Sequence, residues 1–160
     1  RSLPKLRNSS SRPGRKKIVP LKRSRDNAGW LRGEFDFFEI NDLQIAVPSA
    51  VAEDVARLQD LNIVTRGIAV ATIARNKLVP EHALALSSNL KNDVFPVIDL
   101  EKGNALKYLS KEVIEPLDSE RGFALVRYND NNLGFVNRLG NRLNNLYPAN
   151  WRIRMNIKEP

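Results

Sequence analysis

The segment that decides the fold is GFALVRYNDNNLGFV, residues 122–136. Two mainly apolar runs, 122–128 and 133–136, lie on either side of the polar group NDNN. Asn and Asp tolerate the left-handed backbone conformations that tight turns require, so the pattern predicts an antiparallel hairpin. We expect this hairpin to belong to a small, mostly antiparallel barrel or sheet in the second half of the chain.

Shorter patterns on either side of the hairpin complete that half. FPVIDL at 95–100 predicts a strand, and residues 101–109 place apolar side chains at helical spacing after an acidic start. WRIRM at 151–155 predicts the last strand. The prediction for residues 95–160 is therefore a mixed, mostly antiparallel barrel with short helices.

The first half of the chain shows a different order of predicted elements. FDFFEI (35–40) and LQIAV (43–47) predict two strands joined by a turn. SAVAEDVARLQD (49–60) then predicts an amphipathic helix, because acidic residues lie near its start and apolar residues recur along it. Residues 62–74 predict two further strands around Gly67, since they are rich in β-branched residues.

This ββαββ order predicts a small accessory domain over residues 34–94. A short helix is predicted to begin at Pro80 within it, because proline is favoured in the first turn of a helix. The fold class predicted for the whole chain is α+β, with the accessory domain followed by the barrel.

Charge is divided unequally along the chain. Residues 1–33 hold eleven Lys and Arg and one acidic residue, a net charge of +10, whereas residues 34–134 carry −6 and residues 135–160 carry +4. The first segment also lacks helical or strand periodicity, so we predict a flexible basic linker there. Two basic zones around an acidic middle favour nucleic-acid contact at one or both ends. A solvated tail is the alternative explanation of such a charge run.

Several kinds of site are excluded by residue types that the sequence lacks. The chain has no Cys, which removes disulfides, thiolate metal sites and a cysteine nucleophile. It has no glycine-rich phosphate loop, and its single His, His82, has no second His or Cys for a metal. We therefore predict no catalytic residue, metal site or cofactor site in this chain. It also lacks a run of about 18 apolar residues that could span a bilayer, and we expect a cytoplasmic protein.

The densest group of candidate binding residues lies in residues 133–154. This segment combines four arginines with aromatic, glycine and asparagine residues, a mixture that suits RNA. Guanidinium groups bind phosphate, aromatic rings stack on unpaired bases, and Asn amides reach base edges. Phe135 and Trp151 fit the core of the sheet as well as they fit a base-stacking role. Arg138 and Arg142 lie four residues apart, where one helical turn would place both on one face.

These motifs resemble the Sun-type RNA cytosine-5 methyltransferases, specifically the C-terminal region of the bacterial rRNA members. The most specific match is the last motif, in which Leu-Gly-Phe is followed by Gly-Asn-Arg-Leu-Asn-Asn-x-Tyr-Pro-x-x-Trp-Arg-Ile-Arg. The matching stretches are PEHALALS (80–87), FPVIDLEKGNALKYLSKEVI (95–114), GFALVRYNDNNLGFVNRLGNRLNNLYPANWRIR (122–154) and, more weakly, FDFFEINDLQIAVPS (35–49).

The resemblance implies a PUA-like RNA-binding fold, preceded by an accessory domain and attached to an S-adenosylmethionine-dependent catalytic domain. In such enzymes two cysteines of the catalytic domain carry out the covalent chemistry, so that domain is expected upstream of Arg1. RNA contact is carried over to a set of basic and amide side chains: Arg138, Asn141, Arg142, Asn144, Asn145, Arg152 and Arg154. For the asparagines, hydrogen bonds that hold the loop to the barrel are the alternative.

Two functions remain open at this point. The first is an RNA-binding module that positions rRNA, alone or within a ribosomal subunit, so that the catalytic domain reaches a target cytosine. The second is a protein-interaction module that docks through the acidic middle on a ribosomal protein or on the parent catalytic domain. The first predicts RNA binding that weakens as salt rises, because phosphate contacts release counterions.

Overall fold

The computed structural model describes residues 29–58, 65–114 and 120–155, together with the backbone of a two-residue strand at Val19–Pro20. Most of the predicted basic linker and part of the strand predicted at 62–66 lie outside these residues. The α+β class is confirmed, because the described residues form two sheets and a few short helices.

The prediction of a flexible linker over residues 1–33 is wrong at the C-terminal end of that range. Trp30 packs against the hydrophobic core, and Leu31 belongs to it with only 2% of its surface exposed. Arg32 donates a backbone hydrogen bond to the carbonyl oxygen of Asn89. These residues are ordered because two large apolar side chains gain more by burial than the backbone loses in freedom.

The first sheet has five strands in the order β1 to β5, and each neighbouring pair is antiparallel. Its strands are β1 (Val19–Pro20), β2 (Phe35–Ile40), β3 (Leu43–Pro48), β4 (Ile68–Ala74) and β5 (Lys77–Pro80). Asn41 and Asp42 form the turn between β2 and β3 with φ of 48° and 64°, which confirms the predicted first hairpin.

The connection between β4 and β5 differs from the prediction. These strands meet through Arg75 and Asn76, whose φ values are 49° and 63°, and not around Gly67. Gly67 lies just before β4 and permits a close approach to β3, because a Cβ there would overlap the carbonyl oxygen of Ala46. The predicted turn at Gly67 is therefore wrong, and the role of this glycine is steric.

The helices of the described residues are short. They are α1 (Ala52–Arg57), which follows a single 3-10 turn at Ser49–Val51, α2 (His82–Ala85) and α3 (Lys102–Ser110). The predicted start of a helix at Pro80 is wrong, because Pro80 ends β5 and Glu81 precedes the first helical residue. The helix predicted from Glu101 is confirmed, and Lys111 ends it in the left-handed conformation.

The second sheet has the order β6, β7, β8, β9. Its strands are β6 (Val97–Asp99), β7 (Gly122–Tyr128), β8 (Asn131–Arg138) and β9 (Leu143–Asn145). β6 pairs with β7 in parallel, and the other two pairs are antiparallel. The predicted central hairpin is confirmed, with Asn129 and Asp130 in its turn at φ of 48° and 60°.

The strand predicted for residues 151–155 is wrong. Ala149–Trp151 form a 3-10 turn, and residues 152–154 lie outside any strand. The last strand of the sheet is instead β9, which pairs with the end of β8. The sequence Arg-Ile-Arg alternates like a strand, but Ile153 donates its backbone hydrogen bond to Leu109 at the end of α3 and not to a neighbouring strand.

One hydrophobic cluster joins the two sheets. Leu84 and Ala85 of α2 pack with Leu125 of β7 and Phe135 of β8 in this cluster, alongside residues of the first sheet. A second cluster lies between the other face of the second sheet and α3, with Tyr108 at its centre. The second sheet is thus buried on both faces, and the boundary predicted at residues 94 and 95 crosses a shared core.

Candidate nucleic-acid interface

The turn between β8 and β9 displays two of the predicted RNA-binding residues. The backbone N–H of Leu139 donates to the carbonyl oxygen of Arg142 at 3.0 Å, which closes a four-residue turn. Gly140 occupies that turn at φ 88°, a conformation that favours glycine. Asn141 and Arg142 are exposed at the tip, so both side chains are available to a ligand.

Arg138 is placed very differently from Arg142. It ends β8 opposite Leu143, and only 7% of its surface is exposed. Its Nε is buried without a hydrogen-bond partner. The predicted helical turn that would bring Arg138 and Arg142 onto one face does not form, because Arg138 ends β8 and Arg142 lies in the connection to β9. A guanidinium so largely covered is a poor first contact for an RNA phosphate.

An exposed arginine that sequence reasoning missed lies beside the same turn. A Cβ added to Gly140 would lie 3.4 Å from Nε and 3.5 Å from Nη2 of Arg121, so this guanidinium runs along the turn. The hairpin register explains the contact, since Gly122, the next residue after Arg121, pairs with Arg138. Extending the predicted hairpin to its ends would have revealed this neighbour.

The two adjacent asparagines of β9 have opposite placements. Asn144 is exposed and lies opposite Asn137. Asn145 donates from Nδ2 to the carbonyl oxygen of Tyr108 at 2.7 Å and accepts from the backbone N–H of Tyr147 at 2.9 Å. Both polar ends of the Asn145 amide are therefore occupied inside the protein, which favours the alternative that it holds the loop in place.

The segment after β9 is fastened to α3. Lys111 donates from Nζ to the carbonyl oxygens of Asn145 at 3.2 Å and Tyr147 at 2.7 Å. Further along, the N–H of Ile153 donates to the carbonyl oxygen of Leu109 at 3.0 Å. These bonds hold the intervening 3-10 turn in one position. Arg152 and Arg154 flank the anchored Ile153, and both are exposed.

Four aromatic rings meet at this segment. The ring of His82 lies edge to face with Tyr147 and Trp151, at 5.1 Å between centroids in both cases, and Tyr147 contacts Tyr108 at 5.6 Å. Trp151 nevertheless keeps 60% of its surface exposed, whereas Phe135 is 1% exposed. The two roles left open by the sequence are thus divided: Phe135 is core, and Trp151 is presented to solvent.

The surroundings of His82 disfavour the charged form of its imidazole. Burial lowers the pKa of His82, and the nearby carboxylate of Glu81 opposes that effect. Its Nδ1 is buried without a hydrogen-bond partner and faces Gly134. Because α2 carries His82, the first half of the chain contributes a side chain to a cluster that otherwise belongs to the second half.

The exposed arginines of this surface have no carboxylate partner among the described residues. The ion pairs found in the described residues lie elsewhere: they join Arg57 to Glu53 and Asp54, and Arg127 to Asp99. The guanidinium groups at the β8–β9 turn and around Ile153 are therefore free to bind an external anion.

Two further findings concern other kinds of site. Across 29–58, 65–114 and 120–155, no group of three or more His, Cys, Asp or Glu residues could hold a metal ion. No helix within these same ranges is long and apolar enough to cross a membrane.

The comparison with known families agrees with this geometry. Residues 95–153 match a family model for a PUA domain, a class associated with RNA binding. The family is that of the Methyltransferase RsmF PUA domain, and this segment is similar to it. The match confirms the resemblance to the C-terminal region of a Sun-type rRNA methyltransferase. No curated protein matches the chain.

Proposed function

We propose that this chain is the RNA-binding part of an S-adenosylmethionine-dependent rRNA 5-methylcytosine methyltransferase. It holds rRNA or a ribosomal subunit in the cytoplasm while a catalytic domain outside this chain modifies the cytosine. The observation that carries the proposal is the exposed guanidinium surface of Arg142, Arg152 and Arg154 on an RsmF-type PUA domain, with no carboxylate partner in the described residues.

The proposed architecture assigns residues 34–94 to an accessory ββαββ domain and residues 95–160 to a PUA-like barrel. The start of the family match at residue 95 supports this division. The shared hydrophobic cluster indicates that the two parts are packed together, so the accessory domain holds the barrel in a defined orientation.

The cofactor belongs to the proposed catalytic domain and not to the residues described here. S-Adenosylmethionine would supply the methyl group there. The connections from strand to helix in the described residues, through Ser49, Glu81 and Glu101, contain no glycine-rich loop that could approach it. These residues do not fit the cofactor, so their part in the reaction is to bind and orient RNA.

Binding to purified small- and large-subunit rRNA over a salt series tests the proposal. Reversing the charge of Arg142, Arg152 or Arg154 to Glu is expected to weaken binding and to flatten its salt dependence. Each lost phosphate contact lowers the slope of log affinity against log salt by about 0.7 to 0.9. Arg138→Glu is unsuitable because the side chain is buried, and its loss would unfold the end of β8.

Lys77→Glu is the matched control. Lys77 is exposed on β5 of the first sheet, so the charge change is the same but lies away from the candidate surface. A second control removes residues 1–18, which takes away seven basic side chains and no acidic ones while leaving β1 intact. Equal loss of affinity in Lys77→Glu, or complete loss on removal of residues 1–18, would count against recognition by the PUA surface.

The protein-interaction alternative has one observation in its favour. Val51 and Leu58, at the two ends of α1, are exposed apolar residues, and Glu53 and Asp54 between them are exposed acids. A basic protein surface would complement this face of α1. An assay with purified ribosomal proteins, using Glu53→Lys to disrupt the acidic face, separates this function from RNA binding.

A further inference from the structure

We infer that Trp151 is a stacking platform for one unpaired base, so that the preferred ligand is RNA with an extruded or single-stranded nucleotide and not uniform duplex. The inference rests on the proposed RNA-binding function, because it names the form of RNA that this surface takes. Four features of the structure support it: the exposure of the ring, its fixed position, its charged surroundings and a second group of cations at the β8–β9 turn.

The exposure of Trp151 is unusual for its residue type. Large aromatic side chains are strongly buried on average, and leaving most of an indole in water forfeits a substantial hydrophobic gain. The other tryptophan, Trp30, follows the ordinary pattern, with its ring packed on Phe95 at 5.0 Å between centroids. Trp151 keeps 60% of its surface exposed although a core lies nearby. An indole exposed in this way offers a large flat face to a ligand.

The ring is held in place before any ligand arrives. The backbone N–H of Trp151 donates to the carbonyl oxygen of Pro148 at 3.0 Å. Two residues later, the backbone N–H of Ile153 donates to the carbonyl oxygen of Leu109. The edge contact with His82 restrains the indole itself. A rigid aromatic side chain loses little conformational freedom when a base stacks on it, so most of the stacking energy is kept.

The charged surroundings favour RNA over an apolar peptide. Arg152 follows the indole directly, Arg154 lies two residues further, and both are exposed. Neither is paired with a carboxylate in the described part of the chain. Cations beside an exposed aromatic ring match a ligand that joins a flat base to phosphates on either side.

Strand β8 leads from the surroundings of the Trp151 ring to the second group of cations, at the β8–β9 turn. His82, which contacts Trp151, faces Gly134, and Gly134 is four residues along β8 from Arg138 at the β8–β9 turn. At the usual rise of a strand, Gly134 and Arg138 are about 13 Å apart. An RNA chain that stacks one base on Trp151 would have to follow β8 to bring a neighbouring phosphate to Arg142. Bases inside a regular duplex are stacked on each other and cannot reach the ring.

Tryptophan fluorescence tests this inference in the full chain. Trp30→Phe leaves Trp151 as the single indole, and the Trp151 ring itself stays intact. The probes are two RNA hairpins with the same loop and the same number of base pairs, one with an uninterrupted stem and one with a single bulged nucleotide in its stem. We expect the bulged hairpin to quench the fluorescence and to bind roughly 5- to 160-fold more tightly, the range found when one base stacks on one aromatic side chain.

Substitutions at the ring complete the test. Trp151→Ala should abolish the preference for the bulged hairpin, and Trp151→Phe should keep part of it because a smaller aromatic face remains. Leu86→Ala is the matched control, since Leu86 is an exposed apolar residue directly after α2, the helix that carries His82.

The outcomes separate this inference from the proposed function. Salt-sensitive binding of both hairpins with no quenching, or an unchanged preference in Trp151→Ala, would overturn the stacking role and leave RNA binding standing. Absence of salt-sensitive binding to either hairpin or to rRNA would remove the proposed function itself. If Trp151→Ala does not fold, the quenching of the unsubstituted indole still decides the question.

Discussion

Gly134 is the position where one added methyl group should do most damage to both the fold and the candidate site. It lies in β8 opposite Val126 at φ 148°, a conformation that L residues rarely adopt. A Cβ there would overlap the hydroxyl oxygen of Tyr108 and lie 3.0 Å from Nδ1 of His82. The hydroxyl cannot simply swing aside, because Tyr108 is fully buried and donates to the carbonyl oxygen of Phe135 at 3.1 Å.

The cost of Gly134→Ala has two parts. Overpacking of a filled core costs about 1 to 3 kcal/mol, and a non-glycine residue in a disfavoured backbone region costs a similar amount. We therefore expect the free energy of unfolding to fall by about 3 to 4 kcal/mol, which for a chain of this size lowers the melting temperature by about 6 to 16 °C. Denaturant unfolding followed by circular dichroism measures the first quantity, and calorimetry measures the second.

A double-mutant cycle with Tyr108→Phe identifies the cause. Tyr108→Phe alone should cost about 1 kcal/mol, because the carbonyl oxygen of Phe135 loses the hydrogen bond from the hydroxyl and keeps the one from the backbone N–H of Leu146. In the double variant the oxygen that meets the new Cβ is gone, so the loss should be smaller than the sum of the single losses by about 1 kcal/mol or more. Strict additivity would refute the clash as the reason, and native stability in Gly134→Ala would refute the packing described here.

Two further predictions concern pH and the division of the chain. Because burial lowers the pKa of His82 in the folded state, the unfolded chain binds the proton more readily, and stability present above about pH 6.5 should be lost as the pH falls below that value. Between pH 7.5 and pH 5 the melting temperature of His82→Gln should therefore decline less than that of the unsubstituted protein. An identical decline in the two proteins would contradict this assignment. Separate fragments 1–94 and 95–160 should lack cooperative unfolding transitions, because Leu84 and Ala85 share a core with Leu125 and Phe135; a fragment 95–160 that melts cooperatively by calorimetry would show that the second sheet folds without its partner.

The elements that could be predicted from the sequence are those with local signals. The sequence predicted both hairpins that have an Asn-Asp turn, because these two residue types adopt positive φ readily. The β4–β5 turn was missed because it begins with Arg75, a residue type that gives no turn signal. Strand β9 was missed for a related reason: Leu143–Asn145 is too short and too polar to show alternation, and it is held by pairing with β8 and by hydrogen bonds to α3.

The candidate site could be predicted in composition and not in arrangement. Residue types indicated a basic and aromatic group in the last part of the chain, yet they could not distinguish exposed Arg142 from buried Arg138, or Asn144 from Asn145. Those differences depend on which face of β8 and β9 is covered by α3, and helix α3 lies about thirty residues earlier in the sequence. Local spacing carries no information on such a distant contact.

His82 shows why the first half of the chain matters to recognition as well as to folding. The family match begins at residue 95, so it excludes His82 and the helix that carries it. Yet His82 is the side chain against which both Tyr147 and Trp151 rest. The position of α2 follows from its packing on β4 and β8, which ties it to both sheets. Since a shift of α2 would remove the support of the indole, the geometry proposed here for RNA binding depends on a residue outside the matched segment. The accessory part then acts as a structural support for the ring that we propose binds a base.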